Sequence, residues 1–190
     1  MPASVPVLLI RALTALLAGA ALAGCAMPAR SATPIEPLLD RIVERNAIGD
    51  QVALSKWDSG KPVLDAAREA AVLAGVRAQA AAHGVDADDA ARFFGMQIES
   101  NKLVQYQLLA QWRLRGYAPD RPRPDLAALR TRLDQLQGEM LDALQASAAA
   151  RQAPDCPVAT ARAAEAYALR RRLDQVHRTA LVRSLGDFCR

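Results

Sequence analysis

From Asp86 to Arg115 the chain runs for about 30 residues with no proline and a single glycine, Gly95. Asp86 is a helix N-cap residue, and Asp88 and Asp89 follow in the first turn, where the helix dipole favours acids. Gly116 supplies the stop. One uninterrupted helix of that length spans on the order of 45 Å, and so long a rod needs other helices laid along it to cover its apolar face. Composition agrees. Hydrophobic residues make up 52% of the 190 residues and aromatics only 4%. Ala and Leu dominate and β-branched residues are few, which disfavours a β-sandwich. Disorder is excluded by the apolar content, and three widely spaced cysteines exclude a multi-cysteine zinc or disulfide scaffold.

The remaining elements follow from breakers and periodicity. Leu38, Leu39, Ile42, Val43, Val52 and Leu54 give a helix from about Pro37 to Trp57. Asp58-Ser59-Gly60-Lys61-Pro62 turns the chain. A second helix is predicted from about Asp65 to Ala82, ended by His83-Gly84. The long helix comes third. Tyr117 to Pro124, with three prolines, is an extended connector. A fourth helix is expected from about Asp125 to Ala150, then a break at Pro154-Asp155-Cys156-Pro157. A fifth is expected from about Val158 to Leu185. The expectation is an all-α, single-domain bundle of about five to six helices. His83 and His177 stand alone in sequence and read as solvated surface histidines. No glycine-rich phosphate loop, HExxH or Cys/His metal spacing is present, so no metal or other cofactor is implied.

Residues 1–24 read as an export signal rather than as part of the fold. Arg11 precedes an apolar stretch, Ala12 to Ala23, too short to span a bilayer. Leu22-Ala23-Gly24-Cys25 resembles a bacterial lipobox, in which Cys25 is lipidated and anchors the protein to a membrane. Ordinary cleavage after Ala23 is the alternative. Residues 25–33 read as a tether and 34–190 as the folded domain. The expected location is the periplasm. Loss of the signal removes only Arg11 and lowers the net charge from +4 to +3. Export makes nucleic acid an improbable explanation of the basic charge. It also places Cys156 and Cys189 where disulfides persist. As a bridge they would close a loop of about 30 residues; two buried thiols are the alternative.

Polar residues interrupt the apolar helix faces in four places. Arg45 and Lys56 lie eleven residues apart, about three helical turns, and so share a face. They suit either a small anion between them or solvent. Asp65, Arg68 and Glu69 cluster at the start of the second helix, as ligand contacts or as a helix-start ion pair. Asn101 and Gln105 are spaced i,i+4 among Ile98, Leu103, Val104 and Leu108. Amides in such surroundings either bind a ligand or bond between helices. Arg130 follows the proline-rich connector; it and Arg132 also read as surface charges. No activated nucleophile with a base partner is present. The set supplies cations and donors for a small, multiply anionic organic ligand.

These segments together resemble the all-helical AroQ-type chorismate mutases, in particular the secreted gamma subclass. The likeness runs from about Leu38 to the C-terminus. It is carried by Glu44-Arg45, Val52 to Trp57, Pro62 to Glu69, Phe93 through Gln97 to Lys102, Gln105-Tyr106, Trp112, Asp125-Leu126, Arg130 and the Cys156/Cys189 pair. The resemblance implies the type II mutase fold with a C-terminal helical extension. It implies that chorismate is converted to prephenate without a cofactor, and that the chain forms a homodimer. By residue, it implies that Arg45, Arg68 and Arg130 bind the two carboxylates of chorismate and that Lys56 and Gln105 hydrogen-bond its ether oxygen. Asp65 and Glu69 match positions near the ring hydroxyl. Asn101 joins the substrate-binding set at a position that is often Ser or Thr. Two other readings fit the same chain: an isochorismate pyruvate lyase on this fold, and a non-enzymatic helical envelope lipoprotein.

Overall fold

Aspartates and glycines set most of the helix boundaries in the computed structural model, which describes Met1 and residues 35–190. The expected signal segment after Met1, the lipidation site Cys25 and the 25–33 tether lie outside the described residues. Helix α1 spans Glu36–Ser59 and ends at Gly60, whose φ of 66° is the left-handed conformation that glycine adopts without strain. Helix α2, Ala66–Ala80, is capped by Asp65, whose carboxylate accepts from the Arg68 amide at 3.0 Å. A 3-10 turn, Ala81–His83, follows it. Helix α3, Ala87–Arg115, is capped by Asp86, which accepts from the amides of Asp88 and Asp89. Helix α4, Leu126–Ala146, is capped by Asp125.

The C-terminal part departs from expectation. The fourth helix stops at Ala146 rather than near Ala150, and a short α5, Ala148–Gln152, follows. At the junction the Ser147 hydroxyl donates to the Ala143 carbonyl at 2.8 Å. The expected fifth helix is two helices, α6 at Cys156–Arg170 and α7 at Gln175–Ser184. Arg172 takes a left-handed φ of 52°. The Arg172 amide donates to the Leu169 carbonyl and the Leu173 amide to the Ala168 carbonyl, the bond pattern that closes a helix at a glycine elsewhere. Asp174 then caps α7 by accepting from the His177 amide.

Residues 35–190 pack as one unit. Helix α3 is central and packs against α1, α2 and α7, while α1 also meets α4, α6 and α7. The main core joins Leu38, Leu39 and Ile42 of α1, Phe93 and Phe94 of α3, and Met140 and Leu144 of α4. Tyr167 of α6 and Leu181 of α7 complete it. A second cluster of Ala53, Leu54, Val63, Leu109 and Trp112 lies at the other end of α1 and α3, with Trp57 edge-on to Trp112 at 6.1 Å. That cluster holds the Val63 loop against both helices and fixes where α2 begins.

The tail is tied down. Cys156 and Cys189 form a disulfide, with Cα atoms 5.8 Å apart. The buried Arg151 guanidinium makes two 2.8 Å bonds to Asp89 and one to the Phe188 carbonyl. Asp89 therefore does more than complement the helix dipole: it is the counter-ion of a buried arginine. The histidines also differ from expectation. His83 contacts Asp142 at 2.6 Å. His177 is only 15% exposed and bridges Asp50 of α1 at 3.1 Å and Asp174 at 2.9 Å. Its hydrogen bond to Asp50, aided by Asp174, raises its pKa to about 9 despite burial.

Candidate active site

Helices α1, α2 and α3 bring together most of the residues singled out in sequence. Helix α1 is unbroken between Arg45 and Lys56, so the two remain on one face. Arg45 is buried, with 8% of its surface exposed. Among the described residues it forms no ion pair, and its Nε has no hydrogen-bond partner. Burial, and then the neighbouring positive charge of Arg68, push its pKa down to about 10. A buried guanidinium facing another cation is costly unless an anion joins it.

The amides of α3 lie against this residue. The Asn101 Nδ2 donates to the Arg45 carbonyl at 2.9 Å. The Gln105 Nε2 donates to Asn101 Oδ1 at 2.8 Å. Gln105 is buried, and its Oε1 has no hydrogen-bond partner among the described residues. The sequence offered Asn101 either a ligand or an interhelix bond; the structure shows the interhelix bond. Gly49 makes it possible. A Cβ at position 49 would lie 2.9 Å from Asn101 Nδ2, so glycine leaves room for the Asn101 amide where it sits.

Lys56 is half-buried, and its Nζ donates to the Val63 carbonyl at 2.8 Å. Desolvation lowers its pKa, while Asp65 and Glu69 act in the opposite sense. It thus sits among the residues at the start of α2. Asp65 is the N-cap of α2, and Glu69 pairs with Lys102 at 3.0 Å. Lys102 also bonds Glu99 at 2.8 Å, and these carboxylates raise its pKa. Arg68 is half-exposed and lies 3.7 Å from Asp134 of α4, a surface contact worth little by itself.

Arg130 is the least tied of the set. It is exposed on the second turn of α4, one turn before Asp134 and on the same face. No bond joins it to the other candidates. Its neighbour Arg132 instead pairs with Glu44 and Glu139, both at 2.6 Å, and is a structural tie between α1 and α4. Sequence reasoning missed Lys102, the Val63 carbonyl and Gly49. Gly49 had a signal: a lone glycine inside a helix is unfavourable and points to a packing reason for its presence. A separate groove of about 660 Å³ between α6 and α7 is lined by none of the candidate substrate-binding residues.

The gathered groups are cations, amide donors and two carboxylates near the Arg45–Asn101–Gln105 hydrogen bonds. They can hold a small dianion and donate to a third oxygen. Comparisons with known proteins point the same way. Residues 36–106 match the family model for chorismate mutase type II. The chain is 34% identical over 174 residues to a secreted chorismate mutase of Mycolicibacterium smegmatis, covering 90% of this chain and 96% of that protein. It is 31% identical over 153 residues to a secreted chorismate mutase of Mycobacterium tuberculosis, covering 80% and 76%. A chorismate mutase structure from Burkholderia phymatum superposes with a TM-score of 0.81 at 42% identity, covering 83% of this chain and 96% of that one. One from Burkholderia thailandensis gives 0.78 at 38% identity, with 83% and 99% covered. From its matched residues, its length of similarity and its all-helical architecture, the chain belongs to the chorismate mutase type II family.

Proposed function

We propose that this protein is an exported chorismate mutase that converts chorismate to prephenate. The observation that carries the reading is the Arg45 guanidinium, buried without a carboxylate partner among the described residues and set beside Arg68. A dianionic substrate supplies the missing counter-charge. The reaction is a concerted rearrangement, so the protein need supply neither nucleophile nor cofactor. Its contribution is to hold the folded, reactive conformer and to place donors where negative charge grows on the ether oxygen.

Arg45 and Arg68 bind the carboxylates, and Arg130 reaches in from α4 to complete the clasp. Lys56 and Gln105 donate to the ether oxygen. Desolvation of Lys56 and burial of Gln105 support this assignment, because donors act more strongly where water is excluded. Asp65 and Glu69 face the ring hydroxyl, with Lys102 holding Glu69 in place. Asn101 belongs to the same site. The catalytic domain comprises residues 34–190 and follows a signal, residues 1–24, with lipidation at Cys25 and a tether to residue 33. The secreted relatives support export. Placement in the periplasm, membership of the gamma subclass and a homodimeric assembly complete the proposal.

The test is the loss of chorismate absorbance on adding the purified protein, beside Lys56→Ala. Removing one such donor costs about 10²–10³ in rate. The wild type consumes chorismate, and Lys56→Ala loses at least about a hundredfold in kcat with its helical spectrum unchanged. Near-normal turnover by Lys56→Ala removes this lysine from the mechanism.

A further inference from the structure

We propose that Asn101 is a positioning residue: it locks the orientation of the Gln105 amide rather than binding substrate. The inference rests on the chorismate mutase reading above and deepens it. A backbone carbonyl can only accept hydrogen bonds. The Arg45 carbonyl therefore requires Asn101 to present its Nδ2, at 2.9 Å. Asn101 Oδ1 must then point the other way, toward Gln105. That oxygen in turn requires Gln105 to present its Nε2, at 2.8 Å. Rotating the Gln105 amide by half a turn would set two oxygens against each other at that distance. The direction of the whole chain is thus imposed by one main-chain group of α1.

The consequence lies at Gln105. Its Nε2 carries two hydrogens. One is held by Asn101, and the other stays available to an acceptor in the site. A side chain free to rotate would present the oxygen as readily as the donor. A serine or threonine at position 101 would not impose a direction, because a hydroxyl both donates and accepts.

Two further observations support the role. Gly49 opens the space for the Asn101 amide, since a Cβ there would meet Nδ2 at 2.9 Å. Next door, Ser100 donates to Asn46 Oδ1 at 3.0 Å and receives a bond from Ser184 at 2.7 Å. That neighbouring network already ties α3 to α1 and α7. The Asn101 bonds are therefore not needed to hold the helices together.

The test is a double-mutant cycle on the full protein with chorismate as substrate, measuring kcat and KM. Asn101→Ala lowers kcat about tenfold or more, toward the hundredfold that an ångström of misplacement can cost, with KM within about twofold. In a Gln105→Met background the same change alters kcat less than about twofold, because there is no amide left to orient. Gly49→Ala, which pushes directly on Nδ2, repeats the pattern in both backgrounds and carries the comparison should Asn101→Ala lose its helical spectrum. Losses that multiply in an active protein overturn the relay alone. So does a raised KM at unchanged kcat, which marks direct substrate contact. A wild type that leaves chorismate unchanged removes the relay together with the functional reading.

Discussion

Replacing Arg45 by methionine should make the protein more stable and less active at once. The guanidinium is buried, and its pKa is pushed down to about 10, first by desolvation and then by Arg68. At 1.36 kcal/mol per pKa unit, carrying that charge in the folded protein costs about 3 kcal/mol at neutral pH. Methionine is of similar length, unbranched and adaptable, and it fills the same channel without charge. For a domain of this size, about 2–4 °C of midpoint accompanies each kcal/mol. Arg45→Met should therefore raise the ligand-free melting midpoint by several degrees, up to about 10 °C. It should also lower kcat/KM about 10²–10⁴-fold, since charge-assisted bonds are worth about 1.5–3 kcal/mol each and a carboxylate takes two. The assay is thermal unfolding with and without a non-reacting cyclic dicarboxylate, beside steady-state kinetics. The dicarboxylate should raise the wild-type midpoint by mass action and leave the variant unmoved. A midpoint for Arg45→Met below that of the wild type would refute the reasoning, because the charge would then be satisfied within the protein.

The His177 bridge between α1 and α7 gives a pH dependence of stability. Its pKa is raised from 6.5 to about 9 on folding, so its contribution is fully present below pH 6.5 and is lost as pH rises through 9. The contribution is at most about 3 kcal/mol, reduced by screening at the exposed Asp174. Urea midpoints should fall between pH 6 and pH 9.5 by more in the wild type than in His177→Gln; equal falls would show that the bridge does not stabilise. The Cys156–Cys189 bridge spans 33 residues and should be worth about 3–4 kcal/mol. The double Cys→Ala variant should melt about 7–14 °C lower yet keep its activity below the transition, because neither cysteine is among the site residues. Lost activity in the folded variant would tie the tail to the site.

Much of the fold was written locally. Asp65, Asp86 and Asp125 cap the helices they precede, and Gly60, Gly84 and Gly116 take the positive φ that ends them. The break inside the expected fifth helix left no such mark. Its left-handed residue is Arg172, and an arginine does not favour that conformation by its own preference. In the candidate site, Arg45, Lys56, Arg68, Asn101 and Gln105 were legible as polar residues recurring on apolar faces. Their partners were not. The Asn101 bond to the Arg45 carbonyl depends on how closely α1 and α3 cross, and the Asp89–Arg151 and Asp50–His177 pairs join residues far apart in the chain. Such pairings follow from helix packing and have no short-range signature.

Product identification after incubating the purified protein with chorismate, and separately with isochorismate, tests the central claim most directly. Proton NMR of the mixtures should show prephenate formed from chorismate in equal amount and no pyruvate from isochorismate. Unchanged chorismate, or pyruvate released from isochorismate in its place, would contradict the account.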